Sequence, residues 1–569
     1  MQNSPRLLNP SSYFAKIALS KRVIRCLKAF TPKETPPFPT MSSQPAPQDV
    51  GMQAPTATPT KLLGRQFYES IGSPKYIVAP MVDRSEFAWR MLTRSFMPVE
   101  ERKSVLAYSP MFHARLFGEQ QRVRSSAFQP TRDAVGDKNK SDEPFLDGNP
   151  AFDRPLFVQF CANDPNEFLQ AAHHVAPYCD AVDLNLGCPQ GIAKKGHYGA
   201  FLQEDWDLIY KLINKLYNEL SVPITVKFRI QESKEKTLEY AKMILSAGAS
   251  IIAVHGRRRE QKGHETGLAD WTYIRYLRDN LPPETVIFAN GNILNHNDIE
   301  RCLAVTGADG VMSAEGNLSD PTIFSKPPPA GSETRDYWLG RDGKGGYRVD
   351  AILRRYLDIV YKYVLEQPAP ERKPLFLPSD PVEETEETKS EGGEDETEGP
   401  PKKKQKRDKT KKPVSPSLGV MQGHLFQVLR PMVSTHTNVR DALAQSRPGD
   451  MPAFERVLAL VEQAVKSGLK EYEASPEKFE KSADESLTGS KATIADYGRP
   501  WWICQPHIRP LPEEAIEKGA LTAKGQKTQP TNKKNETVDV NPAASETTST
   551  LGDGDTTSAT LTPDPLVSG

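Results

Sequence analysis

The 569-residue sequence has little of several features that mark common protein classes. It holds six cysteines and no Cys-x-x-Cys pair, which excludes a disulfide-stapled scaffold and any recognisable structural zinc site, and favours a reducing compartment. No apolar run reaches about 18 residues, so no membrane-spanning helix is predicted. The 73 basic and 73 acidic residues cancel, which excludes a uniformly basic nucleic-acid coat but still allows local basic patches.

Apolar residues are also scarce. They make up 37% of the chain, below the roughly 45–50% of compact domains, and there are 49 prolines. This composition predicts long disordered segments rather than three or four domains. We predict disorder over 1–61, 371–418 and most of 476–569, with an anchored segment at 498–510. Folded parts are predicted over 62–330, with a polar insertion at 118–153 that we expect to be mobile, and over 331–370 and 419–475.

Two of the segments outside the predicted domains resemble targeting signals. Met1–Lys33 has seven basic residues, no acidic residue and an amphipathic helical pattern, which resembles a mitochondrial transit peptide. The alternative is a dispensable extension before Met41. Residues 402–412 are part of a block with eight basic residues, which resembles a nuclear localisation signal read by an import receptor. The alternative is a linker or an RNA-attracting tract. We expect nucleus and cytoplasm, with a mitochondrial form if translation starts at Met1.

Eight short apolar runs recur between residues 76 and 316, with helical patterns between several of them. The runs are 76–81, 105–111, 156–162, 181–187, 224–230, 251–256, 286–292 and 310–316. Each is apolar on both faces, as parallel strands covered by helices must be. The number and spacing predict a (β/α)8 TIM barrel of the α/β class. A doubly wound sheet is the alternative, but it would need a Gly-x-Gly-x-x-Gly after the first strand, which is absent.

The pattern after residue 330 is helical. Apolar residues recur at helical spacing in 347–367, 423–433 and 451–469. These runs predict a smaller C-terminal all-α domain made from two pieces of chain.

Polar residues end the apolar strands, and in a TIM barrel these ends converge on one mouth. The residues at these strand ends are Pro80, Met81, Val82, Gln159, Asn185, Cys188, Lys227, His255, Asn290, Gly291, Asn292, Ala314, Glu315 and Gly316. The glycines after the last two strands predict a phosphate-binding backbone. Lys227 would place a positive charge at the middle of the mouth, which suits a cofactor that gains negative charge, such as a reduced flavin.

Cys188 follows the fourth predicted strand, in the loop sequence LNLGCPQ. An ordinary thiol has a pKa of about 8.5 and is mostly protonated at neutral pH. Cys188 could therefore act as a general acid or as a nucleophile.

The ordered motifs APMV, VQFCANDP, DAVDLNLGCPQGIAKKGHYGAFL, TVKFRI, VHGRRREQKG and FANGNI resemble the flavin-dependent tRNA-dihydrouridine synthases. The resemblance is strong over 74–325 and weaker over the helical part. The GAFL, HGRRREQKGHETGLADW and PWWICQPHIRP stretches resemble the eukaryotic subfamily that reduces uridines 16 and 17.

This resemblance implies bound FMN, with NADPH or NADH as the reductant. Hydride passes to C6 of uracil, and a cysteine, here Cys188, protonates C5. The implied FMN contacts are Pro80, Met81, Val82, Gln159, Lys227, His255, Asn290, Gly291, Asn292, Ala314 and Glu315, while Asn185 touches the uracil. Many members have Gly-Arg where this chain has Ala314-Glu315, so we expect backbone groups alone to bind the phosphate there.

Basic residues near the mouth predict tRNA contacts. Those predicted to bind are Lys194, Lys195, Arg257, Arg258 and Arg259, with His197 and Lys262 nearby and His424, Arg430, His436 and Arg440 in the helical part. We expect a monomer without a membrane association. The alternatives are another flavin-dependent barrel enzyme acting on a small molecule, and an RNA-binding protein without activity.

Overall fold

The computed structural model describes residues 61–329, 334–381, 415–480 and 486–517. The segment that resembles a transit peptide and the basic block at 402–412 lie outside the described residues. Among the helices of the described ranges, none is both long and apolar enough to cross a bilayer.

Eight parallel strands close into a barrel, which confirms the predicted TIM-barrel fold. They are β1 Tyr76–Val78, β2 Val105–Tyr108, β3 Leu156–Cys161, β4 Ala181–Leu186, β5 Ile224–Arg229, β6 Ile251–His255, β7 Val286–Asn290 and β8 Gly310–Ser313. Each strand pairs with the next, and β8 pairs with β1, so the barrel has no free edge. Every residue of these strands except Tyr76 is buried, which explains why the runs are apolar on both faces.

Helices follow most strands and cover the barrel. Those up to residue 319 are Gly64–Ser70, Phe87–Ser95, Ala114–Glu119, Gln121–Ala127, Pro165–Val175, Gly191–Gly196, Trp206–Glu219, Lys234–Ser246, Trp271–Asn280, His296–Thr306 and Glu315–Ser319. Local caps fix where several begin. Asp164 accepts from the backbone N–H groups of Asn166 and Glu167, and Asn295 forms a capping box with Asp298.

Residues 118–153, predicted as a polar insertion, contribute charged groups to the interior. Asp153 is fully buried and binds Arg90 at 2.5 Å and Arg94 at 2.6 Å, while Asp147 binds Arg90 at 2.8 Å. Both arginines belong to the helix Phe87–Ser95 that follows β1. This buried charge cluster therefore fixes the end of the insertion to the barrel.

The C-terminal part is helical, as predicted. It contains Val349–Ile359, which continues as a π-helix over Val360–Val364, then Pro416–Val428, Arg430–Val433, Thr437–Gln445 and Met451–Ala474. Two further helices, Gly489–Tyr497 and Pro512–Glu517, lie in the tail that was predicted to be mostly disordered. A two-stranded antiparallel hairpin, Tyr337–Leu339 with Gly345–Tyr347, precedes these helices and was not predicted from the helical periodicity.

His424 joins the helical part to the barrel. Its ring stacks on Trp89 at 4.1 Å, and its Nε2 lies 2.9 Å from the Glu86 carboxylate. The side chain is fully buried, so the prediction that His424 contacts RNA is wrong. The periodicity of the helix Pro416–Val428 did not show that this histidine lies in the interface.

Candidate functional site

A chain of buried hydrogen bonds crosses the mouth of the barrel. Gln159 at β3 donates from Nε2 to the Asp183 carboxylate at 2.8 Å, and its Oε1 accepts from Asn185 at 2.8 Å. Thr225 on β5 donates to the other Asp183 oxygen at 2.6 Å. Neighbouring strands thereby fix the amides of Gln159 and Asn185 in one orientation.

Asn185 also shapes the loop that carries Cys188. Its side-chain oxygen accepts from the backbone N–H of Gly187 at 3.0 Å and of Cys188 at 2.9 Å. Gly199 packs against the other side of the loop with a φ of 64°, and a Cβ there would lie 2.9 Å from the Cys188 carbonyl oxygen. A glycine is needed at this position both for the backbone conformation and for the close approach.

Cys188 is a protonated thiol at neutral pH. The side chain is only 6% exposed, and burial raises its pKa above the ordinary value. The Gln190 N–H and the cations of Arg229, Lys227 and Lys262 favour the thiolate, but burial outweighs them. A protonated thiol at the mouth of the barrel can donate a proton to a bound substrate.

Lys227 lies beside this network, because it pairs in register with Asn185. Burial, with a smaller contribution from Arg229, lowers the pKa of its ammonium to about 7, although Asp183 opposes both effects. Burial also raises the pKa of Asp183 to about 6. A negatively charged ligand near Lys227 would therefore favour its charged form.

The ends of β6 and β7 form the other half of the mouth. Arg257 donates to His255 Nε2 at 3.1 Å and to Asn292 Oδ1 at 2.9 Å. Burial, followed by the nearby arginines and Lys227, lowers the pKa of His255 well below its ordinary value, so the imidazole is neutral. Its Nε2 accepts from Arg257, which can only donate, so Nδ1 carries the proton.

Two buried polar atoms in this half lack a partner among the described residues. They are His255 Nδ1, which carries a proton, and Asn290 Oδ1, which is an acceptor. The amide nitrogen of the same Asn290 side chain does have a partner, because it donates to the Met312 carbonyl at 3.0 Å. A buried polar group without a hydrogen-bond partner costs free energy, so these two atoms favour the binding of a polar ligand in this half of the site.

A cavity of about 450 Å³ opens beside these residues. Its walls come from the loops after β6, β7 and β8 and from the C-terminal segment, and include Arg257, Asn290, Gly291, Asn292, Ala314, Glu315 and Arg509. Five lining residues are arginine or lysine and one is acidic, so the cavity favours an anion.

The predicted cofactor residues divide between these regions. Asn290, Gly291, Asn292, Ala314 and Glu315 line the cavity, while Gln159 and Lys227 belong to the adjacent network. Pro80, Met81 and Val82 follow strand β1. Ala79, which lies between β1 and Pro80, donates from its backbone N–H to the Ser313 carbonyl on β8 at 3.0 Å. These placements do not test ligand contact, so the assignments remain predictions.

The predicted RNA-binding residues have different surroundings. Lys194 and Lys195 are exposed on the short helix Gly191–Gly196 that follows the Cys188 loop, and His197 is exposed at its C-terminal end. Arg258 is exposed and donates to the Glu232 carbonyl, whereas Arg259 pairs with Glu204 at 2.6 Å. Arg257 is turned inward, toward His255 and Asn292.

Several residues of the site were missed in the sequence. Asp183 and Arg229 lie within the strands β4 and β5, and a charged residue inside an apolar run is a signal that could have identified them. Arg229 donates to the Gly187 carbonyl at 2.8 Å and so supports the Cys188 loop. Arg509 reaches the cavity from a distant part of the chain; it lies in the PWWICQPHIRP stretch, but that resemblance gave it no role in the site.

Comparison with known proteins adds an independent result. The family model "Dihydrouridine synthase (Dus)" matches residues 77–341. The tRNA-dihydrouridine(16/17) synthase of Schizosaccharomyces pombe is 43% identical over 459 residues, which cover 80% of this chain and 94% of that protein. The Saccharomyces cerevisiae protein of the same name is 42% identical over 79% of this chain and 87% of its own length. Both matches confirm the resemblance seen in the motifs, and the chain belongs to the dihydrouridine synthase family.

Proposed function

We propose that this protein reduces the C5–C6 double bond of uridine in tRNA, at positions 16 and 17, with bound FMN and with NADPH as the reductant. The observation that carries the proposal is a protonated thiol, Cys188, held at the barrel mouth by Asn185 next to a basic cavity. The names of the yeast relatives support the substrate and the positions, and they include NAD(P)(+) as the nicotinamide.

The residues present fit FMN. His255 Nδ1 and Asn290 Oδ1 are buried and unpaired among the described residues, so they offer a donor and an acceptor to a ligand. The positive charge of the cavity suits a phosphate. Gln159, Lys227, Asn292, Ala314 and Glu315 would complete the site, with Pro80, Met81 and Val82 across the mouth. When bound and reduced, FMN supplies the hydride for C6 of the uracil ring.

The proton for C5 comes from this chain. Burial keeps the Cys188 thiol protonated, so it can give its proton to C5 as the hydride reaches C6. The two additions together place two hydrogens across the double bond and leave a thiolate, which takes a proton from solvent. The cations of Arg229, Lys227 and Lys262 stabilise that thiolate.

Asn185 positions both the thiol and the base. Its side chain fixes the backbone of Cys188 and is itself fixed by Gln159. A uridine in folded tRNA must leave its stack to reach this site, at a cost of a few kcal/mol. Contacts of Lys194, Lys195 and Arg258 with phosphates would offset that cost.

The decisive experiment combines cofactor and product. Purified protein should show flavin absorbance, and mass spectrometry of the released cofactor should give FMN. With NADPH and an unmodified tRNA transcript, the protein should form dihydrouridine at positions 16 and 17, located by chemical mapping. A protein that binds no flavin, or that forms dihydrouridine only elsewhere, would contradict the proposal.

A further inference from the structure

The C-terminal segment brings an arginine to the wall of the cavity. Arg509 contacts the carboxylate of Glu315 through three atom pairs, with Nε 3.2 Å from both oxygens and Nη2 3.0 Å from Oε1. These two residues are 194 positions apart in the chain. Residues His507–Leu511 line the same cavity as Asn290 and Gly291.

The segment is fixed where it leaves the helical part. Trp502 is fully buried and its carbonyl accepts from the Val349 N–H at 2.9 Å, while the Cys504 N–H donates to Tyr347 at 2.9 Å. After the cavity, the Leu511 N–H donates to Glu514 at 3.0 Å. The anchors at Trp502 and Cys504, together with the contacts of Arg509 to Glu315, hold Arg509 at the barrel mouth.

Arg509 changes the charge that a ligand meets. Glu315 is the only acidic residue among the described residues that line the cavity. Alone, its carboxylate would repel a phosphate, but its contacts with Arg509 neutralise it. Burial is the main cause of the lowered pKa of Arg257, but Glu315 raises that pKa and Arg509 lowers it, so Arg257 lies within the electrostatic reach of both. The two guanidinium groups outnumber the one carboxylate, which leaves this wall of the cavity with a net positive charge.

We propose that the segment 507–511 is part of the cofactor site, in which Arg509, positioned by Glu315, binds the phosphate of FMN together with Arg257. The inference rests on the proposed function, because it needs FMN as the ligand. The family model ends at residue 341 and so does not include this segment. The phosphate contact that Glu315 cannot make is supplied from the other end of the chain.

The test compares FMN with riboflavin, which lacks the phosphate. Apoprotein is titrated with each flavin, and binding is followed by quenching of flavin fluorescence. In Arg509→Gln, FMN should bind about tenfold or more weakly, because a charge-assisted contact is lost, while riboflavin affinity should stay unchanged. Arg509→Lys keeps the charge but loses the forked geometry, and should weaken FMN binding less.

Arg499→Gln is the matched control. Arg499 lies eight residues before the segment 507–511 and donates to the carbonyls of Asp496 and Gly498. Arg499 is not one of the described residues that line the cavity, so the affinity of Arg499→Gln for both flavins should equal that of the wild type. Circular dichroism of all three variants reports whether they fold.

The outcomes separate the two proposals. If the wild type binds no FMN, the proposed function is wrong. If the wild type binds FMN and Arg509→Gln binds it equally well, or loses FMN and riboflavin to the same extent, the phosphate role of Arg509 is wrong. A loss restricted to FMN, with riboflavin binding intact, supports it.

Discussion

The side-chain oxygen of Asn185 accepts a hydrogen bond from the backbone N–H of Cys188 at 2.9 Å. Through Gln159 the same side chain is tied to Asp183, so the position of the thiol depends on strands β3 and β4 together. The network places a thiol that burial keeps protonated at the point where all strands of the barrel converge. This relationship explains why a loop residue can have a defined position without lying in a strand.

Replacement of Cys188 by alanine should remove the proton donor. We expect the rate of dihydrouridine formation to fall by about 10²- to 10⁴-fold, the usual contribution of a general acid. Flavin reduction by NADPH should continue at the normal rate, which stopped-flow absorbance measures separately. Cys302→Ala, at a buried cysteine on the helix His296–Thr306, is the control and should keep both rates. A Cys188→Ala protein with normal turnover would refute the assignment.

Asn185→Ala should affect both stability and turnover. It leaves the buried N–H groups of Gly187 and Cys188 and the Gln159 oxygen without their partner. Each lost partner of a buried group costs about 1–3 kcal/mol, so the free energy of unfolding should fall by at least that amount. Urea unfolding measures the first effect, and kcat on tRNA measures the second. Unchanged values of both would show that the loop is held by other contacts.

Lys227 should make stability depend on pH in the flavin-free protein. Its pKa of about 7 in the folded state lies below that of an unfolded lysine, so between these values the folded state binds fewer protons. The free energy of unfolding contributed by Lys227 therefore rises as the pH rises above 7. Lys227→Met should lose this contribution, so its stability relative to wild type should fall between pH 7 and about pH 9.

Urea unfolding at pH 7 and at about pH 9 gives the difference in free energy of unfolding between variant and wild type. Taking this difference cancels the contribution of other titrating groups. Lys236→Met is the control, because Lys236 is exposed and pairs with Glu232 on the surface. Its stability difference from wild type should not change with pH over this range. If the free energies of unfolding of Lys227→Met and wild type changed in parallel with pH, this would contradict the lowered pKa of Lys227 in the folded state.

Lys194 and Lys195 should contribute to tRNA binding through phosphate contacts. Both are exposed on the short helix after the Cys188 loop. The double alanine variant should bind tRNA more weakly, and the slope of log affinity against log salt should become shallower by about one unit for each lost contact. Filter binding at several salt concentrations gives the slope. The pair Lys236 and Lys242, exposed on the helix Lys234–Ser246, is the control, and an equal change there would indicate a general charge effect.

Asp153→Ala should strongly destabilise the barrel. The substitution leaves the buried guanidinium groups of Arg90 and Arg94 without their main partner. Breaking a buried ion pair from one side costs about 3–5 kcal/mol. Asp142→Ala, at an exposed residue of the same insertion, should change the free energy of unfolding by less than about 0.5 kcal/mol. Chemical unfolding of the two variants distinguishes a buried cluster from a surface charge.

The barrel could be predicted because its strands are buried on both faces, so each run is mostly apolar and polar residues lie at or near its end. Gln159, Asn185 and Asn290 were found for this reason. His424 was misread, because an amphipathic pattern does not show which polar side chain faces a second domain. Arg509 was missed, because its contact with Glu315 depends on the path of the chain after the helical part.

The anchoring of Trp502 has a consequence for synthesis of the protein. The strands that build the barrel leave the ribosome long before residue 511, so a nascent chain can close its barrel while one wall of the cavity is still missing. Only a chain that has been synthesised past residue 511, with its C-terminal segment held against Tyr347 and Val349, carries the complete wall. The proposed phosphate site is therefore complete only after synthesis has passed residue 511.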